Sequence, residues 1–159
     1  MTLPRLALAA ALVLLHVAHA SADATAFVGS VWTPNNRAAK GLSVGFGLFV
    51  VGAEFEWSAA NEVATDGTPS LRTGSGNLLL QSPLPVFGFQ PYVTTGIGAY
   101  SERLREEAER GLAFNSGLGV KISLLGPIRA RVDYRTFRLR GEPRYPTVHR
   151  TYVGLNISF

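Results

Sequence analysis

The final nine residues, 151–159, read T-Y-V-G-L-N-I-S-F and alternate between apolar and small or polar side chains. Because successive side chains of a β-strand point to opposite faces, this segment has one apolar face and one polar face. The apolar face ends on the aromatic residue Phe159. A transmembrane β-barrel ends in this way, since its last strand pairs with its first and faces lipid.

The same alternation recurs upstream, in segments that are bounded by turn residues. The eight predicted strands are 25–33, 42–49, 52–59, 71–81, 90–103, 112–124, 128–139 and 147–159. Strands of roughly ten residues, when tilted, cross the ~30 Å of membrane hydrocarbon. The facing of the first strand is ambiguous, and Leu78-Leu79-Leu80 blurs that of the fourth. The sequence therefore predicts an all-β fold, an eight-stranded antiparallel up-and-down transmembrane β-barrel.

The first 22 residues have the features of a cleaved signal peptide. A cationic Arg5 precedes the apolar run 6–17, which is shorter than the ~20 residues of a membrane-spanning helix. Small-x-small triplets allow cleavage after Ala20, Ala22 or Ala24, and we expect it after Ala22. The alternative is an uncleaved buried helix. Cleavage leaves residues 23–159 as a single barrel domain, and the chain has no cysteine for a disulfide or a lipid anchor.

The predicted connections alternate in length along the chain. Short links at 50–51, 83–88 and 126 alternate with longer polar ones at 34–41, 61–69, 104–111 and 140–146. Bacterial outer-membrane barrels combine short periplasmic turns with longer external loops. An even number of strands then places both termini on the periplasmic side.

Four segments resemble a known family of membrane proteins. They are 91–100 (P-Y-V-T-T-G-I-G-A-Y), 114–121 (F-N-S-G-L-G-V-K), 128–135 (I-R-A-R-V-D-Y-R) and 152–159 (Y-V-G-L-N-I-S-F). The chain is similar to the OmpA/OmpX-type small outer-membrane β-barrel superfamily. The resemblance implies the outer membrane of a Gram-negative bacterium, with the outer-membrane assembly machinery and periplasmic chaperones as partners. It also implies that the last strand is the assembly signal, carried by Val153, Leu155, Ile157 and Phe159.

Charged residues fall on the polar parity of the third and seventh predicted strands, which lie across the barrel from each other. They are Glu54, Glu56, Arg129, Arg131, Asp133 and Arg135. The interior of an eight-stranded barrel is just wide enough for side chains to fill it, so these groups are expected to meet there. They form either a static polar plug or the gate of a narrow pore for ions or small solutes. We favour the plug.

A second group of arginines surrounds the longer links near the external end. These residues are Arg103, Arg105, Arg138, Arg140 and Arg144. Arginine binds phosphate bidentately, so the group is a candidate site for lipopolysaccharide or an anionic host surface. The alternative is ordinary solvated loop charge. A nucleic acid is not expected as a partner at this location.

Catalysis is not expected, although some barrels of this size are enzymes that modify lipid A. His149 is the one histidine of the mature chain, and it is followed by Arg150-Thr151 without the His-x-Ser pattern of a deacylase. No metal-ligating cluster or cofactor motif is present, so neither is expected. A secreted lipocalin-like binder is a weaker alternative, because Gly-x-Trp near the N-terminus is missing. The sequence thus favours a monomeric outer-membrane barrel with a structural or surface-interaction role.

Overall fold

The structure is a computed structural model that describes residues 20–159, which form a closed antiparallel barrel. Its strands are β1 (Ala20–Val31), β2 (Arg37–Leu48), β3 (Val51–Ala60), β4 (Ser70–Gln81), β5 (Phe89–Leu104), β6 (Glu107–Leu125), β7 (Ile128–Arg140) and β8 (Thr147–Ser158). A short 3-10 helix, Ala64–Asp66, lies between β3 and β4. Each strand pairs with the next, and β1 pairs with β8, so the predicted fold class is confirmed.

Most of the expected signal peptide lies outside the described residues. The boundary at residue 22 therefore stays a prediction. In the structure β1 begins at Ala20, and Ala22 exchanges two backbone hydrogen bonds of 2.9 Å with Phe159. Within the described range, no helix combines the length and the hydropathy needed to cross a membrane.

The apolar parity of the strands faces outward, and the polar parity faces the lumen, which is the space enclosed by the barrel. Phe46, Leu118 and Leu155 are 59–62% exposed, whereas Ser43 on β2 and Asn156 on β8 are at most 3% exposed. This is the orientation of a barrel whose surrounding solvent is lipid. A lipocalin-like interior would require the reverse.

The two strands of undecided facing follow the same rule. On β1, Thr25 and Phe27 point inward, and Val28 points outward with 69% exposure. On β4, Leu79 is buried in the lumen, while Leu78 and its neighbour two residues on, Leu80, are exposed. Three consecutive leucines are therefore compatible with a strand because the inner wall also accepts an apolar side chain.

Two of the expected long connections are wrong. β6 already begins at Glu107, so the predicted loop 104–111 is reduced to the two-residue turn Arg105–Glu106. β2 begins at Arg37, so the predicted loop 34–41 shortens to residues 32–36. Residues 37–41 (R-A-A-K-G) and 107–111 (E-A-E-R-G) contain small and charged side chains but no large apolar one, so hydrophobic alternation does not mark them as strand.

The barrel has two ends, which are named here by their connections. The terminal end carries Ala20, Phe159 and the turns 49–50, 82–88 and 126–127, and the far end carries the connections 32–36, 61–69, 105–106 and 141–146. A cluster of buried apolar side chains closes the lumen toward the far end. Its larger members are Val31, Leu71, Tyr100, Phe137, Leu139 and Val148.

Candidate functional site

Charged side chains fill the middle of the lumen. β7 directs alternate residues inward, β3 lies across the barrel from it, and β8 supplies one further arginine. Each of these side chains is at most 5% exposed. The group, called the lumen network below, consists of Glu54, Glu56, Arg131, Asp133, Arg135 and Arg150.

Arg131 is the centre of this network and has no exposed surface. Its Nη1 donates to Glu54 Oε2, and its Nε donates to the Tyr92 hydroxyl at 2.7 Å. The same hydroxyl donates to Asp133 Oδ2 at 2.5 Å. The Arg131 guanidinium also lies 4.8 Å from the centroid of the Tyr92 ring. The β5 tyrosine therefore ties the arginine to a second carboxylate.

Arg135 contacts all three carboxylates of the network. Its Nη2 donates to Glu54 Oε1 at 2.8 Å, and its Nε donates to Asp133 Oδ1 at 3.0 Å. Its Nη1 lies 3.2 Å from Glu56 Oε2. The arginine thus connects the charges of β7 with both glutamates of β3.

Arg150 on β8 is the member of the network that the sequence analysis did not predict. Its Nη2 donates to Glu56 Oε1 at 2.5 Å, and its Nη1 donates to the Ser58 hydroxyl at 2.6 Å. It shares the parity of Tyr152 and Asn156, which was a signal for an inward position. With Arg150 included, three arginines meet three carboxylates, and the network is charge-balanced.

Gly119 on β6 gives Tyr92 the space to reach the network. A Cβ atom at this glycine would lie 2.3 Å from the Tyr92 hydroxyl, far inside contact distance. Gly117 and Gly119 form a Gly-x-Gly pair on the lumen parity of β6, and glycine in a strand can make room for a large neighbour. The close approach at Gly119 is an instance of that arrangement.

Arg129 does not join the lumen network. It is partly exposed toward the terminal end, where it donates to Gln90 Oε1 at 3.2 Å and to the Ser158 hydroxyl at 3.4 Å. Nearby, Lys121 forms an ion pair with Asp23. These side chains line a vestibule of about 510 Å³ that is open at the terminal end and reaches Glu54.

The arginines that were assigned to the far-end loops separate into two groups. Arg103, Arg138 and Arg140 lie on strands with exposed, outward-facing side chains. Arg105 occupies the β5–β6 turn with a φ of 55°, and its backbone N–H donates to Glu62 Oε1. Arg144 lies in the β7–β8 connection and forms an ion pair with Glu107.

Three further cations face outward near the far end, and sequence reasoning did not select them as a set. Lys40, Arg72 and Arg110 lie on β2, β4 and β6 in a single register row, connected through Ala59 and Ser101. With adjacent strands ~4.8 Å apart, neighbouring cations of this row are spaced by roughly 10 Å at the backbone. The register was needed to find them, because the three residues are distant in sequence.

The outward-facing cations differ from the arginines of the lumen network in having no ion-pair partner within the described residues. Within residues 20–159, none of the ion pairs involves Lys40 or any of the five outward-facing strand arginines. We call this set the outer cationic rim. It consists of Lys40, Arg72, Arg103, Arg110, Arg138 and Arg140.

The side chains of the expected assembly signal form the outer face of β8. Val153, Leu155 and Ile157 are 50–59% exposed, and Phe159 is 75% exposed. β8 also closes the barrel through its pairing with β1. The residues are therefore placed on the lipid-facing side of the closing strand, and their role in assembly stays a prediction.

His149 is on β8, partly buried at the outer wall. Its Nδ1 lies 2.8 Å from the Tyr134 hydroxyl and 3.2 Å from the Thr136 hydroxyl. In the described part of the chain, no group of three or more histidine or acidic side chains is arranged to hold a metal ion.

Comparison with known proteins gives matches at the level of structure. No family model matches the chain, and no curated protein matches its sequence. The N-terminal β-barrel domain of Pseudomonas aeruginosa OprF superposes with a TM-score of 0.69 at 17% identity, over 87% of this chain and 97% of that one. Neisserial surface protein A gives 0.65 at 11% identity, over 87% and 95%.

Two further neighbours show how widely functions differ on this fold. The outer membrane enzyme PagL gives a TM-score of 0.55 at 11% identity, over 85% of this chain and 98% of that one. Ail, the attachment invasion locus protein of Yersinia pestis, gives 0.54 at 11% identity, over 90% and 100%. At such identities the likeness shows the fold, and the function has to be argued from the site. The chain therefore has the eight-stranded barrel fold of small outer-membrane proteins of the OmpA/OmpX type.

Proposed function

We propose that this protein is a structural, non-conducting outer-membrane barrel that binds lipopolysaccharide phosphates through its outer cationic rim. The observation that carries the proposal is the division of charge between the two faces of the wall. The charges of the lumen network are paired and balanced, whereas the cations of the rim form no ion pair within the described residues. The proposal places the far end at the surface of a Gram-negative cell and includes no catalytic step.

The interior supports the structural role because ion-paired side chains fill the middle of the lumen. Removing ions from water costs several kcal/mol each, and close pairing with hydrogen bonds offsets that cost. Arg131 and Arg135 have 0% exposed surface, so the vestibule ends at side chains that are packed together. An ion passing through would have to separate these pairs. A narrow pore is the second candidate function, because the vestibule gives access from the terminal end to Glu54 in the lumen.

The exterior supports lipopolysaccharide as the partner because the cations lie at the far-end border of the apolar outer surface. Along β2 the outward residues change from Lys40 to Leu42, Val44 and Phe46, and along β4 they change from Arg72 to Leu78. The rim thus lies where an apolar outer face gives way to charge, at the level of lipid phosphates. Arginine binds such groups bidentately.

Charge reversal in the rim tests the proposal. The triple variant Arg110→Glu, Arg138→Glu and Arg140→Glu is expected to bind lipopolysaccharide at least about tenfold more weakly, since each cation near an anionic lipid surface contributes about 1 kcal/mol. Binding to the purified barrel in nanodiscs would be measured at low and high salt. The loss should shrink at high salt, because these charges are exposed to screening.

Arg144→Glu is the matched control for this experiment. It is also an exposed far-end arginine, but it already pairs with Glu107, so its reversal should leave lipopolysaccharide binding nearly unchanged. Unchanged binding in the triple variant would contradict the proposed partner. An equal loss in the control would show that total charge, rather than the rim, sets the affinity.

A further inference from the structure

The outer wall contains an apolar recess across β2 to β5. It is a shallow, open depression with a volume of about 700 Å³. Its polar contribution is small, and most of its side chains belong to the lipid-facing parity. The residues that shape it are Val44, Phe46, Phe55, Gly76, Leu78 and Ile97.

Two outward-facing glycines of β4 lie at this recess: Gly76 lines it, and Gly74 is the next outward residue toward the far end. Neither position sterically requires glycine. A Cβ atom at Gly74 or Gly76 would have nothing within 4 Å, and neither residue has a positive φ. On the adjoining strand, by contrast, a Cβ at Gly98 would lie 1.9 Å from the Gly74 carbonyl oxygen. Glycine weakens a strand interior and often marks a site where a ligand approaches closely, so these two glycines support a ligand at the recess.

A rim cation lies on the same strand as the recess, farther toward the far end. The outward residues of β4 run from Arg72 through Gly74 and Gly76 to Leu78. At ~3.3 Å per residue, Arg72 is roughly 13 Å from Gly76 along the strand. Lys40 and Arg110 flank Arg72 in the same register row, two strands away on either side. An apolar recess below several cations matches a lipid that has acyl chains and more than one phosphate.

We propose that one acyl chain of lipid A lies in this recess, with a lipid A phosphate on Arg72. The proposal deepens the proposed function, since it rests on lipopolysaccharide as the partner and adds where one molecule is held. A second copy of the chain fits less well. Two copies in one membrane have the same orientation, so their Arg72 rows would meet at equal depth and repel each other.

Filling the recess tests the proposal. The double variant Gly74→Leu and Gly76→Leu, in nanodiscs, is expected to bind hexa-acylated lipid A at least tenfold more weakly than the unaltered barrel. Its affinity for the fully deacylated bisphosphorylated disaccharide should be unchanged. Arg72→Gln should weaken binding of both probes. Ala26→Leu is the matched control, because it adds bulk to the outer face of β1, away from the recess.

Heat-modifiable gel migration checks that each variant folds. The double variant is expected to fold, because a Cβ atom added at either of these open, lipid-facing positions meets no other atom within 4 Å. Full lipid A affinity in the folded double variant would overturn the recess, even where reversal of Arg110, Arg138 and Arg140 confirms the rim. Equal losses for lipid A and phosphatidylglycerol would overturn the choice of lipid. Cross-linked dimers that disappear in the double variant would assign the recess to a second copy. If reversal of Arg110, Arg138 and Arg140 leaves binding unchanged while the double variant and Arg72→Gln both lose affinity, the wider rim fails as the binding site and the recess with Arg72 stands.

Discussion

Arg131 shows how one residue is made compatible with the inside of a narrow barrel. Its guanidinium contacts Glu54, Asp133 and the Tyr92 hydroxyl, and Nη1 lies 3.4 Å from both the Thr25 and the Ser43 hydroxyl. These contacts come from β1, β2, β3, β5 and β7. A single side chain therefore joins more than half of the strands across the lumen.

Replacing Arg131 with methionine should destabilise the barrel strongly. The change removes one partner of buried ion pairs and leaves charge behind, which costs about 3–5 kcal/mol in the free energy of unfolding. Urea unfolding in lipid vesicles measures this loss. Arg129→Met is the control, because Arg129 is partly exposed and should cost about 1 kcal/mol or less. Equal losses in the two variants would contradict the central position of Arg131.

At the scale of the element, β8 combines two tasks on its two faces. Its inner face supplies Arg150 to the lumen network, and its outer face presents the apolar residues that end with Phe159. Phe159 also exchanges backbone hydrogen bonds with Ala22 on β1. The last residue is thus attached to the seam that closes the barrel.

Deletion of Phe159 should lower the amount of folded protein in the outer membrane. The change removes the end of the apolar face and the two backbone hydrogen bonds to Ala22. Immunoblotting of outer-membrane fractions measures it, and Phe87→Ala is the control, because Phe87 is 95% exposed in a turn away from β8. Normal levels without Phe159 would contradict the role of β8 as an assembly signal.

The elements also show how far sequence patterns reach. Alternation between apolar and polar residues predicted all eight strands and placed Glu54 and Arg131 inside, because lipid imposes a strict outer face. It failed at residues 37–41 and 107–111, where the strands extend beyond the apolar band and water accepts either face. The row of Lys40, Arg72 and Arg110 was also beyond reach, since it depends on the register of five strands.

At the scale of the whole molecule, the barrel has two charged regions, the lumen network on the inner face of its sheet and the outer cationic rim on the outer face. Inside, three arginines and three carboxylates neutralise one another. Outside, the cations of the rim gather at the far end above an apolar belt. The first arrangement joins the strands across the lumen, and the second is the positive charge that we propose binds lipid phosphates.

The most direct test of this account is single-channel recording of the purified barrel in planar lipid bilayers. A filled, charge-balanced lumen predicts no stable conductance steps for the unaltered protein, because no ion passes without separating the pairs at Arg131 and Arg135. A stable conductance that disappears when Arg131 is replaced would contradict the account. The lumen network would then be the gate of a pore.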